Sequence, residues 1–224
     1  MFTDKTYISA EYAQYGIPED KKSKAMAVIT AQTFDGRYLG VGIKQSERLI
    51  WAPEGSFGFN KKFEGIHVSF SGEGWDESSE SYYEYNFSGD LDGSDNWEYI
   101  CSVDSSASLT AEYNYPAFNF ANNYGSYAGL AGTYYENGWY VPSIAELYEV
   151  FENRETVQKS LSAVDGFDFD FDGSNSWSSS QDTNDRAEYC LIVSSMGDVY
   201  TTYKSNDFTR TRVLRAFNPE DFTS

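Results

Sequence analysis

The stretch DGFDFDFDGSNSWSSS, residues 165–180, sets carboxylates at alternate positions ahead of a glycine, the donor pattern that opens a calcium loop. Asp168, Asp170, Asp172 and Gly173 fill the first, third, fifth and sixth places, and Ser174 and Ser176 suit the seventh and ninth. The twelfth place calls for a bidentate glutamate and holds Ser179. A second acidic stretch, GDLDGSDNWE, with Asp90, Asp92, Asp95 and Glu98, is equally incomplete. The expectation is therefore no cofactor, with calcium at Asp168, Asp170 and Asp172 as the alternative. Other catalytic chemistry is sparse. The single histidine, His67, lies in the alternating run EGIHVSF, which reads as a structural or surface position on a strand. Without a second histidine or a cysteine cluster, the usual nitrogen and sulfur donors for zinc are missing. Neither a nucleophile elbow nor a phosphate-cradling glycine motif occurs. Cys101 and Cys190 each sit in an apolar run, WEYICSV and AEYCLIV, and read as free thiols on strands, with a disulfide closing the long loop between them as the alternative.

Chemistry of recognition is better represented. Tyr200, Thr202, Tyr203, Ser205, Asn206, Asp207 and Phe208 gather near the C-terminal end, and Asp182, Thr183, Asn184 and Arg186 come from the loop before them. Tyrosine supplies large contact area at low entropic cost, while Ser, Thr, Asn and Asp adapt their hydrogen bonds. Strand alternation over DVYTTYK sends Tyr200 and Thr202 to one face and Thr201 and Tyr203 to the other, and leaves open which face is core. TRTRVLRAF holds Arg210, Arg212 and Arg215; Arg210 and Arg212 share a strand face and are expected to pair with nearby carboxylates, with a dedicated anion site as the alternative.

The elements that must hold these residues can be read from pattern. A chain of 224 residues, 40% hydrophobic and 18% aromatic, can bury a substantial core. Its net charge of −19 excludes a basic footprint for nucleic acid. No apolar run approaches the ~20 residues of a membrane-spanning helix. The start, MFTDKTYISAEY, lacks the apolar stretch of a secretion signal. The Tyr-, Ser-, Asn- and Gly-rich composition nevertheless favours an extracellular or cell-surface bacterial protein whose signal has been removed, lipid-anchored in a fuller precursor.

Residues 1–22 read as a loosely ordered lead-in, 23–218 as one domain and 219–224 as a tail. Within the domain, two β-rich runs flank Asp35-Gly36, a dipeptide suited to a tight hairpin turn. RLIWAPEG and FEGIHVSF are further short strand candidates. Residues 71–96 have loop composition and predict a long surface excursion. YPAFNFANNYG predicts a helix starting at Pro116 and stopping at Gly125. Ser143 and Glu146 form a capping box, followed by Ile144, Leu147, Tyr148 and Phe151 on one helical face. A break near Asn153 precedes a second helix ended by Gly166. AEYCLIVS, DVYTTYK and TRTRVLRAF then return to strands, giving an α+β layout.

Four blocks in this order, YPAFNFANNYG, GWYVPSIAELYEVF, WSSSQ and RVLRAF, resemble a bacterial family of C-type-lectin-like domains of the Lcl type, long carried as a domain of unknown function. The resemblance runs from about Ala25 to Phe217. It implies a C-type-lectin-like fold, with N- and C-terminal strands paired in one sheet, two helices packed on it and a second sheet bearing the ligand surface. It also implies a non-catalytic surface protein that binds a protein or glycan through its C-terminal loops and strands. Some domains of this fold are variable proteins of diversity-generating retroelements, which randomise adenines, typically at Asn codons. Codons ending in a pyrimidine exclude Lys, Glu, Gln, Met and Trp, and from Asp198 to Thr211 only Lys204 breaks that set. A fixed member of a paralogous surface family accounts for the run equally well. Two alternatives stand beside the binding reading: a self-associating structural or adhesive envelope protein, and an enzyme of the formylglycine-generating type using Cys101 and Cys190.

Overall fold

The computed structural model describes residues 1–13, 15–33, 36–72, 75–76, 81–82, 84–166 and 174–222. The incomplete calcium loop, Asp168, Asp170 and Asp172, lies outside the described residues.

The N-terminal part carries two one-turn helices, α1 (Ala10–Ala13) and α2 (Glu19–Lys22), and the hairpin strands β1 (Ala27–Gln32) and β2 (Tyr38–Arg48). A short helix α3 (Phe57–Asn60) leads to β3 (His67–Ser71), β4 (Trp75–Asp76), β5 (Ser81–Tyr82) and β6 (Asn86–Gly89). Helices α4 (Asn96–Val103), α5 (Ala107–Asn114), α6 (Pro116–Asn122), α7 (Tyr124–Tyr127), α8 (Ile144–Glu152) and α9 (Arg154–Ala163) follow. The chain closes with β7 (Asn175–Trp177), β8 (Gln181–Asp182), β9 (Tyr189–Val193), β10 (Val199–Tyr203) and β11 (Thr209–Phe217). This is an α+β protein, as the pattern predicts. Among the described residues no helix is long and apolar enough to cross a membrane.

The main sheet has six strands in the order β1-β2-β11-β7-β9-β10. The last strand, β11, runs antiparallel to β2 with Leu214 opposite Val41, so AVITAQ and VLRAF share a sheet with β2 between them. A smaller sheet, β6-β3-β8, joins the main one through the chain continuing from β8 to β9. Both faces of the main sheet are covered. Cys190, Ile192 and Val213 point into a core with Trp51, Phe118 and Trp177, while Leu191, Val193 and Leu214 point into a second core with Ile144, Leu147 and Phe151. Burial on both faces explains why CLIV is a continuous apolar run with no polar alternation.

Several expectations hold and others change. Ser143 and Glu146 close the capping box, the α8 face is buried, and Asn153 separates α8 from α9. At the end of α9, Asp165 takes the positive φ of 53° and Gly166 N donates to Leu161 O at 2.9 Å, so the terminator is one residue earlier than expected. Gly125 sits inside α7, where a Cβ would collide with the Glu136 backbone, and the helix from Pro116 ends at Asn122. The hairpin connection spans Thr33–Arg37, closed by Thr33 N donating to Arg37 O, with Gly36 at φ 87°; Asp35 lies outside the described residues. WEYICSV, expected as a strand, is helix α4, with Asn96 and Ile100 buried one turn apart. A seven-residue apolar run does not distinguish the two periods, and the tertiary core on one side selects the helix.

The surface excursion at 71–96 is partly structured. Its β6 pairs with β3, and Tyr85 and Phe87 pack on Tyr148 of α8 at 5.2 and 5.6 Å. Residues 1–22, expected to be loose, form a small core of their own: Phe2, Ala13, Ile17 and Ala25 are buried together, and the Met1 amine donates to Ala27 O. Their apolar positions are too irregularly spaced to register as a period. In the expected tail, Phe222 packs edge-on against Tyr38 at 4.8 Å.

Candidate functional site

β10 is an edge strand, so it presents one unpaired backbone rim. Lys204 N donates to Glu188 O, and Ser194 N donates to Asp198 O, which places the inward-bonding residues at even numbers. Val199, Thr201 and Tyr203 therefore turn their backbone groups outward. Val199 N donates to Tyr85 Oη at 3.3 Å, and Tyr203 O accepts from Asn206 N at 2.9 Å. The Thr201 amide and carbonyl are left on the open rim.

The side chains of the expected site divide between the two faces of this strand. On the face continuous with Leu191 and Val193, Tyr203 lies against Tyr189 with ring centroids 4.4 Å apart. The Arg186 guanidinium sits 4.9 Å above the Tyr189 ring and donates to Tyr189 Oη at 2.7 Å and Tyr203 Oη at 3.3 Å. Hydrogen bonding from Tyr189, then from Arg186, lowers the Tyr203 phenol below its ordinary value. Asp185 accepts from Thr201 Oγ1 beside this cluster. Lys62 Nζ ties the loop down from below, donating to the Thr183 and Asp185 carbonyls at 2.6 and 2.8 Å. Asp182 Oδ1 accepts from Asn184 N, and Thr183 Oγ1 accepts from Ser69 Oγ.

On the opposite face, Tyr200 Oη accepts from Asn175 Nδ2, and Thr202 Oγ1 accepts from Asn206 Nδ2, both at 3.0 Å. Phe208 is 61% exposed with Arg48 5.5 Å over its ring. Ser205 Oγ reaches Glu54 Oε1 at 3.4 Å, and Asp207 is exposed. At β10, then, the face of Val199, Thr201 and Tyr203 begins in the second core at Val199, 5% exposed beside Leu191 and Val193, and leaves it toward Tyr203, while the face of Tyr200 and Thr202 carries no core residue. Tyr200 and Tyr203 are both exposed, and they belong to separate patches.

The support beneath the site was not legible as such. WSSSQ is a buried polar plug. Ser178 Oγ donates to Leu191 O, Ser179 Oγ to Pro142 O, and Ser180 Oγ accepts from Ile144 N. Gln181 Oε1 accepts from Phe63 N, while its Nε2 donates to the Ala187 and Tyr189 carbonyls, setting the loop that carries Arg186. Lys204 is 0% exposed, 4.6 Å over the Trp51 ring, and donates to Gly58 O at 2.6 Å and Lys61 O at 2.8 Å. Burial pushes its ammonium down to about 7. The one signal is that Lys204 alone interrupts the absence of Lys, Glu, Gln, Met and Trp from Asp198 to Thr211.

Elsewhere, Glu146 accepts from Gly93 N, Ser143 N and Tyr140 Oη, and burial pushes its carboxyl up to about 7. That carboxylate, with Asp92 accepting from Ser94 N, organises the second acidic stretch as a helix entry. Among the described residues no group of three His, Cys, Asp or Glu side chains could hold a metal ion. His67 is half-buried with its pKa lowered by burial. Cys101 lies on α4 and Cys190 on β9, both free; burial pushes the Cys190 thiol up to about 12. The expected carboxylate partner of Arg210 is replaced by Ser174 Oγ and Ser46 O, while Arg212 donates to Ser176 Oγ. Arg215 lies 5.6 Å over the rings of Tyr135 and Phe217.

Fold and site together define an α+β protein with a two-faced, aromatic and small-polar edge strand beside a short ordered loop. Comparison with protein-family models, curated proteins and solved structures finds no match for this chain.

Proposed function

We propose that this chain is a non-catalytic ligand-binding protein of the bacterial cell surface, with a C-type-lectin-like fold, that takes a protein or glycan on the loop 182–188 and strand β10. The observation that carries the reading is the Arg186–Tyr189–Tyr203 cluster. Two rings at 4.4 Å under a bridging guanidinium form an exposed platform already ordered in the free protein. Such a platform stacks on the apolar face of a sugar or a peptide while Arg186, Asp185 and Asn184 supply hydrogen bonds, at little cost of ordering on binding. Placing AVITAQ and VLRAF in one sheet supports the lectin-like assignment. Residues 198–211, including Tyr200, Thr202, Asn206 and Phe208, are the segment that a retroelement-diversified member would vary, and most of them are at least partly accessible around the buried Lys204.

Burial argues against the formylglycine-generating alternative, because the Cys190 thiol is held protonated and out of reach. The Thr201 rim favours self-association as the second reading, since an edge amide and carbonyl can pair with a second chain. Binding of the tagged protein to a glycan array and to a panel of bacterial and host surface proteins tests the proposal. Retained signal is expected for the wild type and at least a tenfold loss for Tyr203→Ala. Equal binding by both, or concentration-dependent sedimentation without any ligand signal, would refute it.

A further inference from the structure

On the far side of the molecule from β10, at the other edge of the main sheet, a cavity of about 400 Å³ lies between the N-terminal segment, β1 and α9. It exists because small side chains face one another. Ala10 and Ala13 of α1, Ala25 and Ala27 at the start of β1, and Ser160 of α9 line it where longer residues would close it. Phe2, Ile17, Ile29, Val164 and Phe222 complete the apolar walls.

Charge sets this hollow apart. The chain carries a net −19, yet among the described residues no Asp, Glu, Lys or Arg side chain lines the cavity. Its side-chain polar groups are hydroxyls, from Ser9, Thr156 and Ser160, with those of Tyr7 and Tyr38, and the Met1 amine, also of a lining residue, donates to Ala27 O and is pushed by burial down to about 6. A shallower hollow between α1 and α9 shares Ala10, Ala13, Ile17 and Thr156 with it and forms an approach. The lysines on that approach stand beside carboxylates, Lys22 at 3.0 and 3.2 Å from Glu19 and Asp165 and the exposed Lys159 at 4.0 Å from Glu155, and Glu11 and Glu19 line the same hollow. Among the described residues, the carboxylates on this route are at least as many as its lysines, so it does not favour an anion.

The size of the cavity falls in the range of roughly 300–1,000 Å³ typical of small-molecule sites, which are mostly apolar with a few placed polar groups. An apolar cavity of about 150 Å³ already holds benzene. We propose that this cavity is a binding site for an uncharged, largely apolar small molecule ~two to three times the size of benzene, carrying a hydroxyl or carbonyl that the Ser9, Thr156 and Ser160 hydroxyls can meet. The site is independent of the edge-strand platform.

The test is a fluorescence titration of the full chain with N-phenyl-1-naphthylamine, a neutral aromatic probe, and with its anionic relative 1-anilinonaphthalene-8-sulfonate. Saturable one-to-one enhancement is expected with the neutral probe, and at least tenfold weaker binding with the sulfonate. Ala13→Phe on α1 and Ser160→Leu on α9 each fill the hollow, and each is expected to weaken the neutral probe at least tenfold while thermal melts show a folded protein. Ser160 is only half-buried, so its variant keeps the test available if Ala13→Phe fails to fold. Absence of saturable binding, wild-type affinity in the folded variants, or equal affinity for the sulfonate overturns the proposal.

Discussion

Replacing Lys204 by Met keeps an unbranched stem of similar length between Trp51 and Phe63 and removes only the amine. In the wild type that amine is fully buried and donates to two carbonyls, Gly58 O and Lys61 O. Desolvation lowers its pKa from 10.5 to about 7, with Cys190 and Glu188 acting in the opposite direction. The folded state therefore prefers the neutral amine, while the unfolded chain keeps it charged up to its ordinary value. Stability contributed by this group is fully present above pH 10.5 and is lost as pH falls toward 7. Over the three pH units from 7 to 10, at about 1.4 kcal/mol per unit, the wild type should gain roughly 4 kcal/mol on the variant. The ring faces and carbonyls that favour the cation make this an upper value. Near pH 6 two costs oppose each other: burying the ammonium in the wild type, and leaving two carbonyls without donors in the variant, about 1–3 kcal/mol each. The expectation there is near parity. Urea unfolding of both proteins at pH 6, 7, 8, 9 and 10 measures the difference, and subtraction cancels the other titrating groups. A difference that stays flat across this range would show that Lys204 remains charged in the fold, and the argument from burial would fail.

Glu146 should give the reverse slope: burial raises its carboxyl from 4.5 to about 7, so its contribution is full below pH 4.5 and lost as pH rises through 7. Urea unfolding of wild type and Glu146→Gln should show the wild type losing about 3 kcal/mol of relative stability between those limits. Leu147→Ala, at a position 1% exposed in the core beneath β9, should cost roughly 2–5 kcal/mol in the same assay. Tyr203→Ala, on the exposed platform, should change stability by less than about 1 kcal/mol, which separates its expected binding defect from unfolding.

Local signals carried much of the architecture. The Ser143–Glu146 box, the Ile144–Leu147–Tyr148–Phe151 face and the Asn153 break are interactions between residues within a turn or two of each other, so spacing alone reveals them. The three closing strands are legible for the same reason. Their β-branched and aromatic runs favour extended chain whatever packs on them. Failures fall where the deciding partner is distant in sequence. WEYICSV is helical because the core receives Asn96 and Ile100 on one side, and residues 1–22 are ordered because Phe2, Ala13 and Ile17 meet Ala25 after a turn that no periodicity announces.

The candidate site shows the same division. Residue type marked 182–186 and 200–208 as a recognition surface, since tyrosine, threonine and asparagine bring contact area and adaptable hydrogen bonds wherever they are displayed. Only the tertiary structure decided that Tyr203 joins Arg186 and Tyr189 on one face while Tyr200 and Thr202 join Asn175 and Asn206 on the other. The same holds for Lys204, whose type predicts solvent and whose position at the end of β10 places it over Trp51. Sequence determines what each short segment can do, because propensity, capping and alternation act over a few residues. Which faces are buried, and therefore which side chains meet, depends on strands and helices brought together across more than a hundred residues, as Trp51 and Lys204 are.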